Sequence, residues 1–134
     1  MLLFDRDQML ARWAGARLGI ADFSPCVAIG VARGDEVVAA AIYNNYRPPN
    51  IEITFVTSSP RWASKEAIRA MLRYPFVQLG CARLTAVTPA QNRAARAFLA
   101  RLGFRQEGVH PDALPGGDAV SYGLLARDAA QWIA

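Results

Sequence analysis

A mixed α/β (α+β) fold, built on a mostly antiparallel central sheet with helices on both faces, is what the sequence predicts. Three observations predict it. Two apolar runs, 26–32 and 36–43, flank Arg33-Gly34-Asp35 and read as a β-hairpin. Residues 51–58 alternate, with Ile51, Ile53 and Phe55 on one face and Glu52, Thr54 and Val56 on the other, the period of a strand. A helical stretch then precedes another strand at 83–88, and a strand–helix–strand unit demands a right-handed parallel crossover. At 134 residues and 53% apolar, the chain bounds itself to a single domain, 1–134, with ample core material. Disordered, collagen-like and coiled-coil classes are excluded.

Taken in order, residues 5–18 place Met9, Trp13, Ala16 and Ile20 at helical steps, and Asp5 and Asp7 suit the positive end of that helix. The hairpin follows. Residues 44–50, with Pro48 and Pro49 paired, read as a loop because proline cannot donate to a ladder. Ser58-Ser59-Pro60 offers a helix start after the strand. From Trp62 to Arg73, Ile68, Met71 and Leu72 form an apolar stripe that Tyr74-Pro75 ends or kinks. A helix from about Ala90 to Leu102 puts Ala95, Phe98, Leu99 and Leu102 on one face, and Gly103 stops it. Strands near 104–110 and 118–126 are separated by a Pro/Gly-rich turn at 111–117.

The net charge is +4, and fourteen of the fifteen cations are arginine, Lys65 being the one lysine. Twenty-five alanines accompany them, which fits a GC-rich genome; the functional reading of the charge is an anionic partner, a phosphate-bearing ligand or nucleic acid. The arginines are spread along the chain instead of forming the basic stripe that nucleic acid needs. No stretch reaches the roughly 18 apolar residues of a membrane span. The opening MLLFDRDQ is acidic where an export signal is basic, and two cysteines fit a reducing compartment. A cytoplasmic location is expected. Cys26 and Cys81 read as buried and inert, and His110 with Asp112 is a poor metal site for want of further ligands.

The run Phe76-Val-Gln-Leu-Gly80, Arg83-Leu-Thr-Ala-Val87, Asn92 and Leu102-Gly-Phe-Arg-Gln-Glu-Gly108, closed by Asp118–Gly123, resembles the GNAT superfamily of acyl-CoA-dependent N-acyltransferases. Within it, the similarity is to the branch that acetylates protein N-termini and related amines. The resemblance implies acetyl-CoA as co-substrate, an amine-bearing small molecule or peptide as acceptor, and direct attack without a covalent intermediate. A homodimer is compatible with it; a membrane or nucleic-acid partner is not expected. The family's Q/R-x-x-G-x-G/A phosphate turn reads here as Pro60-Arg-Trp-Ala-Ser-Lys-Glu-Ala67. Trp62 and Ala67 match a W-G-K-G-Y-A version, whereas Ala63, Ser64 and Lys65 replace Gly, Lys and Gly. Backbone N–H groups at a helix start bind phosphate without glycine if side chains turn away, and Arg61 and Lys65 offer charge-assisted bonds. The implied cofactor site therefore comprises Val56, Thr57, Ser58, Arg61, Trp62, Ala63, Ser64, Lys65, Glu66, Ala67 and Asn92. Asn92 reads equally as a helix cap.

Acyl transfer to an amine needs a proton acceptor, a donor for the thioester oxygen and, in some enzymes, an acid for the thiolate. The resemblance implies a backbone N–H near Val56 as donor, and "EITFVTSS" resembles the histone-acetylating branch, whose strand glutamate deprotonates the amine, which makes Glu52 the base. Glu52 reads otherwise as an outward-facing strand carboxylate. Leu99 stands where many family members carry an acid tyrosine, leaving Tyr122 or solvent for that task. No serine or cysteine is recognisably paired with His110 in the sequence, so triad chemistry has no support there. Tyr43, Tyr46 and Arg47, in or beside the 43–50 loop, are expected to border the acceptor. Two other functions remain open: a catalytically silent module that binds CoA or a protein partner, favoured by the altered turn and Leu99, and a small basic nucleic-acid binder resting on charge alone.

Overall fold

The computed structural model describes residues 1–20, 23–59 and 61–134. Its elements are β1 (Leu2–Leu3), α1 (Asp7–Leu18), β2 (Cys26–Arg33), β3 (Glu36–Arg47) and β4 (Asn50–Thr57), then α2 (Lys65–Arg73) running into a π-helical turn (Tyr74–Gln78). After these come β5 (Arg83–Pro89), α3 (Arg93–Leu102), β6 (Arg105–Leu114), β7 (Gly117–Leu125) and α4 (Ala126–Ile133). The sheet is ordered β1-β2-β3-β4-β5-β7-β6, and among these strands only β4 and β5 pair in parallel. The predicted class is the observed one.

Two apolar layers sandwich the sheet. Ala39, Ala41, Tyr43, Ile51 and Ile53 meet Ile68, Met71 and Leu72 of α2, Leu99 and Leu102 of α3, and Ala129 of α4. Ala28, Ala40, Ile42 and Val56 meet Leu10 and Ala14 of α1. The face of α1 that packs therefore differs from the expected one: Met9 and Ile20 are exposed, while Leu10 and Ala14 are fully buried. Ala14 packs in this layer with Ala28 and Ala40, and Leu10 is seated on the Cβ-less Gly30 of β2, while Gly15 leaves room for the Ile20 carbonyl at the end of the helix.

Other boundaries moved for identifiable reasons. β3 and β4 extend through most of the expected 44–50 loop, because the ladder continues past Asn44 with an irregularity and turns only at Pro48-Pro49. α2 begins at Lys65, capped by Ser64 whose Oγ accepts from the Ala67 N–H at 3.1 Å; Ser58 and Ser59 lie upstream of it, and Pro60 lies outside the described residues. β6 runs through Pro111 to Leu114, a position open to proline on an edge strand. β1 and α4 were not expected from the sequence.

Candidate functional site

β4 and β5 are paired at only three positions, Asn50↔Arg83, Ile51↔Leu84 and Glu52↔Thr85, although β4 continues to Thr57 and β5 to Pro89. Beyond Glu52 the strands diverge into a fork. Three aromatic rings wedge it on the α3 side: Phe55 lies 6.2 Å from Trp62 and 5.2 Å from Phe98, and Trp62 lies 5.4 Å from Phe98. A cavity of about 50 Å³ sits in the gap, lined among others by Ile53, Thr54, Ala86, Val87 and Leu99. It adjoins a cleft of about 360 Å³ whose walls include Phe55, Val56, Thr57, Trp62, Ala63, Asn92, Phe98, Arg17 and Arg101.

The register decides which backbone groups face the fork. Ser58 N–H donates to the Val38 carbonyl at 2.9 Å, on the register that sets Val56 opposite Ala40. Alternation in an antiparallel ladder then turns the Val56 N–H toward β3 and the Phe55 and Thr57 N–H groups toward β5. Two carbonyls of the same parity agree. Pro49 O accepts from Ala82 and Arg83 beside β5, and Thr57 O accepts from Arg17 Nη2 at 3.3 Å. Val56 is thus corrected as the backbone donor: its N–H is directed into the β3 ladder, and its side chain packs against the α1 layer. Phe55 and Thr57 present the fork's donors.

The remaining cofactor candidates divide. Trp62 is nearly buried and forms the cleft wall, Ala63 lines it, and Ala67 is buried in the α2 layer. Thr57 Oγ1 donates to Ser59 O at 2.6 Å and Ser58 Oγ to Val38 O at 3.4 Å, so both hydroxyls serve the local turn. Arg61 gives its carbonyl to Arg33 and keeps an exposed side chain. Lys65 and Glu66 are both exposed in the first turn of α2, where their charges oppose one another. Asn92 caps α3 through Oδ1, accepting from Ala95 N–H at 3.1 Å, and also lines the cleft. Sequence reasoning missed Arg17 and Arg101, which come from α1 and α3 and line one cleft only in the fold.

Glu52 is half-buried on the α1 side of the sheet, opposite Asn44 on β3 and Thr85 on β5. It shares that face with Thr54 and Val56, as the alternation predicts. The acceptor candidates fare differently. Tyr43 is 1% exposed and donates its hydroxyl to the Met71 carbonyl, so it is a core residue and not an acceptor contact. Burial, and then Tyr74, push its phenol well above the ordinary value. Tyr46 and Arg47 are exposed, but on the end of β3 instead of in a loop. Tyr122 is buried with its hydroxyl accepting from Arg96 Nε at 2.9 Å, and Leu99 is buried at the floor of the fork. One pairing was not visible in the sequence: His110 Nε2 lies 3.0 Å from Ser121 Oγ, two residues that only the β6–β7 register brings together. Cys81 is buried, which raises its thiol pKa, and Cys26 is half-buried.

The residues fit a thioester with an anionic tail in part. The fork offers two backbone donors and an apolar wedge, and arginines rim the cleft. The start of α2, by contrast, carries no glycine and already gives one N–H to Ser64. Among the described residues no helix is long and apolar enough to cross a membrane.

A family model described as an acetyltransferase (GNAT) domain matches residues 5–105. No curated protein matches the chain by sequence. Among solved structures, a GNAT-family acetyltransferase from Bacillus anthracis is 22% identical, with 75% of this chain and 66% of that one covered and a TM-score of 0.61. A structure described as an acetyltransferase from T. thermophilus is 26% identical over 81% of this chain and 65% of that one, at a TM-score of 0.67. The ribosomal-protein-S5-alanine acetyltransferase from Vibrio fischeri is 16% identical over 90% and 70%, also at 0.67. Those below 25% identity speak for the fold alone. The chain spans about two thirds of the length of the structures it resembles.

Proposed function

Because the chain belongs to the GNAT acetyltransferase family, we propose that it transfers an acetyl group from acetyl-CoA to a primary amine of a small molecule or peptide. The observation that carries this reading is the fork: β4 and β5 part after three pairs and leave the Phe55 and Thr57 N–H groups facing an aromatic-lined cleft. Acetyl-CoA, when bound, supplies the activated acyl group. Phe55 and Thr57 N–H are placed to donate to an oxygen gaining charge within the fork, where low polarity strengthens such bonds. Arg17, Arg101 and Arg61 bind phosphate by charge-assisted hydrogen bonds. Glu52, on the opposite side of the sheet from the α3 wedge, takes the proton from the amine. With Leu99 at the tyrosine position, the acid, where one is needed, is solvent or Tyr122, whose hydroxyl accepts from Arg96 Nε and keeps its own hydrogen.

Thermal melting with added acetyl-CoA tests binding, since a ligand that binds only the folded state raises stability by mass action. Thiol release over an amine library tests turnover. A stabilised protein that releases no thiol with any amine supports the second reading, a CoA-binding module without catalysis, which the glycine-free turn and Leu99 favour. A melting temperature indifferent to acetyl-CoA overturns both.

A further inference from the structure

At the closed end of the fork, the face of the sheet that carries Glu52 holds a polar network. Thr85 Oγ1 donates to Asn50 Oδ1 at 2.7 Å, and Arg83 Nε donates to the same oxygen at 3.3 Å. The Arg83 guanidinium also donates to both carboxylate oxygens of Glu107 on β6, through Nη1 at 3.0 Å and through Nη2. To reach Glu107 it passes over β7 at Gly123, the register partner of Thr85. A Cβ at Gly123 would stand 2.4 Å from Glu107 Oε2 and 2.5 Å from Arg83 Nη2. The network thus joins β4, β5 and β6 at the junction where the two halves of the sheet are held by three register pairs. The last of those pairs is Glu52↔Thr85.

We propose that this network is a clasp that sets where β4 and β5 begin to diverge, and so holds Glu52 in line with the fork. Asn50, Arg83, Thr85 and Glu107 are positioning residues in it. Side chains of the ion pair are 31% and 41% exposed, and pairs so exposed add little to stability. Its consequence is therefore geometric: it fixes one residue pair at a junction with few others to fix it. The part concerning Glu52 rests on the function proposed above; the part concerning the junction does not.

Two variants test it, Gly123→Ala, which displaces the ion pair without altering any member, and Thr85→Val, which removes the bridging hydroxyl and keeps the branched shape. Amide hydrogen exchange of Ile51 and Thr85 is expected to quicken about tenfold or more while the β2–β3 hairpin is unchanged, as in local opening of one junction. Turnover number is expected to fall about tenfold to 10²-fold, the scale of a small misplacement, with KM for acetyl-CoA little altered because its phosphates bind at the far end of the fork. Unchanged exchange in both variants overturns the clasp. Faster exchange with wild-type kcat overturns its positioning role. Should the wild-type protein turn over no amine, the proposed function falls, and the exchange measurement by itself decides the clasp. Should Gly123→Ala fail to fold, Thr85→Val carries the same expectations.

Discussion

Met71 lies four residues before Pro75, so the helical partner its carbonyl would normally have is a nitrogen without a hydrogen. The Tyr43 hydroxyl, arriving from β3, donates to that carbonyl instead. This explains how α2 continues into a π-helical turn across a proline while staying packed on the sheet. Tyr43→Phe keeps the ring and its edge-on contact with Tyr74 but leaves a buried acceptor short of its donor. The expected loss is about 1–3 kcal/mol in urea unfolding, with the cleft untouched. Glu52, the proposed base, gives the complementary case. Glu52→Gln keeps shape and removes the base, so kcat should fall about 10²–10⁴-fold with acetyl-CoA affinity preserved. The deficit should narrow at high pH, where the amine is already deprotonated in solution. A loss that is uniform across pH and tracks a lowered melting temperature would instead mark Glu52 as structural.

At the scale of elements, α1 and β2 are matched at one point. Leu10, fully buried, sits on Gly30, where an added Cβ would lie 2.6 Å and 3.1 Å from its two methyl carbons. Neither partner has room to yield, since Leu10 is also packed among Ala14, Ala28 and Ile42. Gly30→Ala should therefore cost about 1–3 kcal/mol, the range for overpacking a filled core, read as a lower melting temperature. Because α1 also delivers Arg17 to the rim of the cleft, the same variant should weaken acetyl-CoA binding. The start of α2 shows the opposite economy. Ser64 caps the helix and Glu66 follows Lys65, so this terminus is satisfied locally and offers less to a phosphate than a glycine turn would.

For the molecule as a whole, the charge pair across β5, β7 and β6 couples stability to acidity. Hydrogen bonding from Arg83 holds the Glu107 carboxyl below its ordinary value, against a smaller opposing effect of desolvation. A carboxyl lowered in the folded state contributes stability above its unfolded pKa and loses it as pH falls through the folded one. Wild-type protein should thus exceed Glu107→Gln in melting temperature at neutral pH, modestly because the pair is exposed. The gap should close on acidification from the ordinary glutamate value of about 4.3 downward, and shrink with added salt at neutral pH. A gap that persists in acid would assign the difference to packing.

What the sequence by itself determined is what local chemistry carries. Alternation at 51–56 assigns Glu52 and Ile53 to opposite faces, the Gly-Asp turn pairs β2 with β3, and Gly103, at φ 107°, ends α3 as a glycine in that conformation should. The motif resemblance over 76–123 carried the family. Tertiary structure decided the rest. Parity along β4 depends on the register with β3, which placed Phe55 and Thr57, not Val56, at the fork. Tyr43 shares the face of Ala39 and Ala41, and only packing brings the Met71 carbonyl of α2 to its hydroxyl. Arg17 and Arg101 come to one cleft only through packing, and His110 meets Ser121 only through strand pairing. Periodicity reports which face of an element is apolar; it does not report what stands across from it, and a site is made of what stands across.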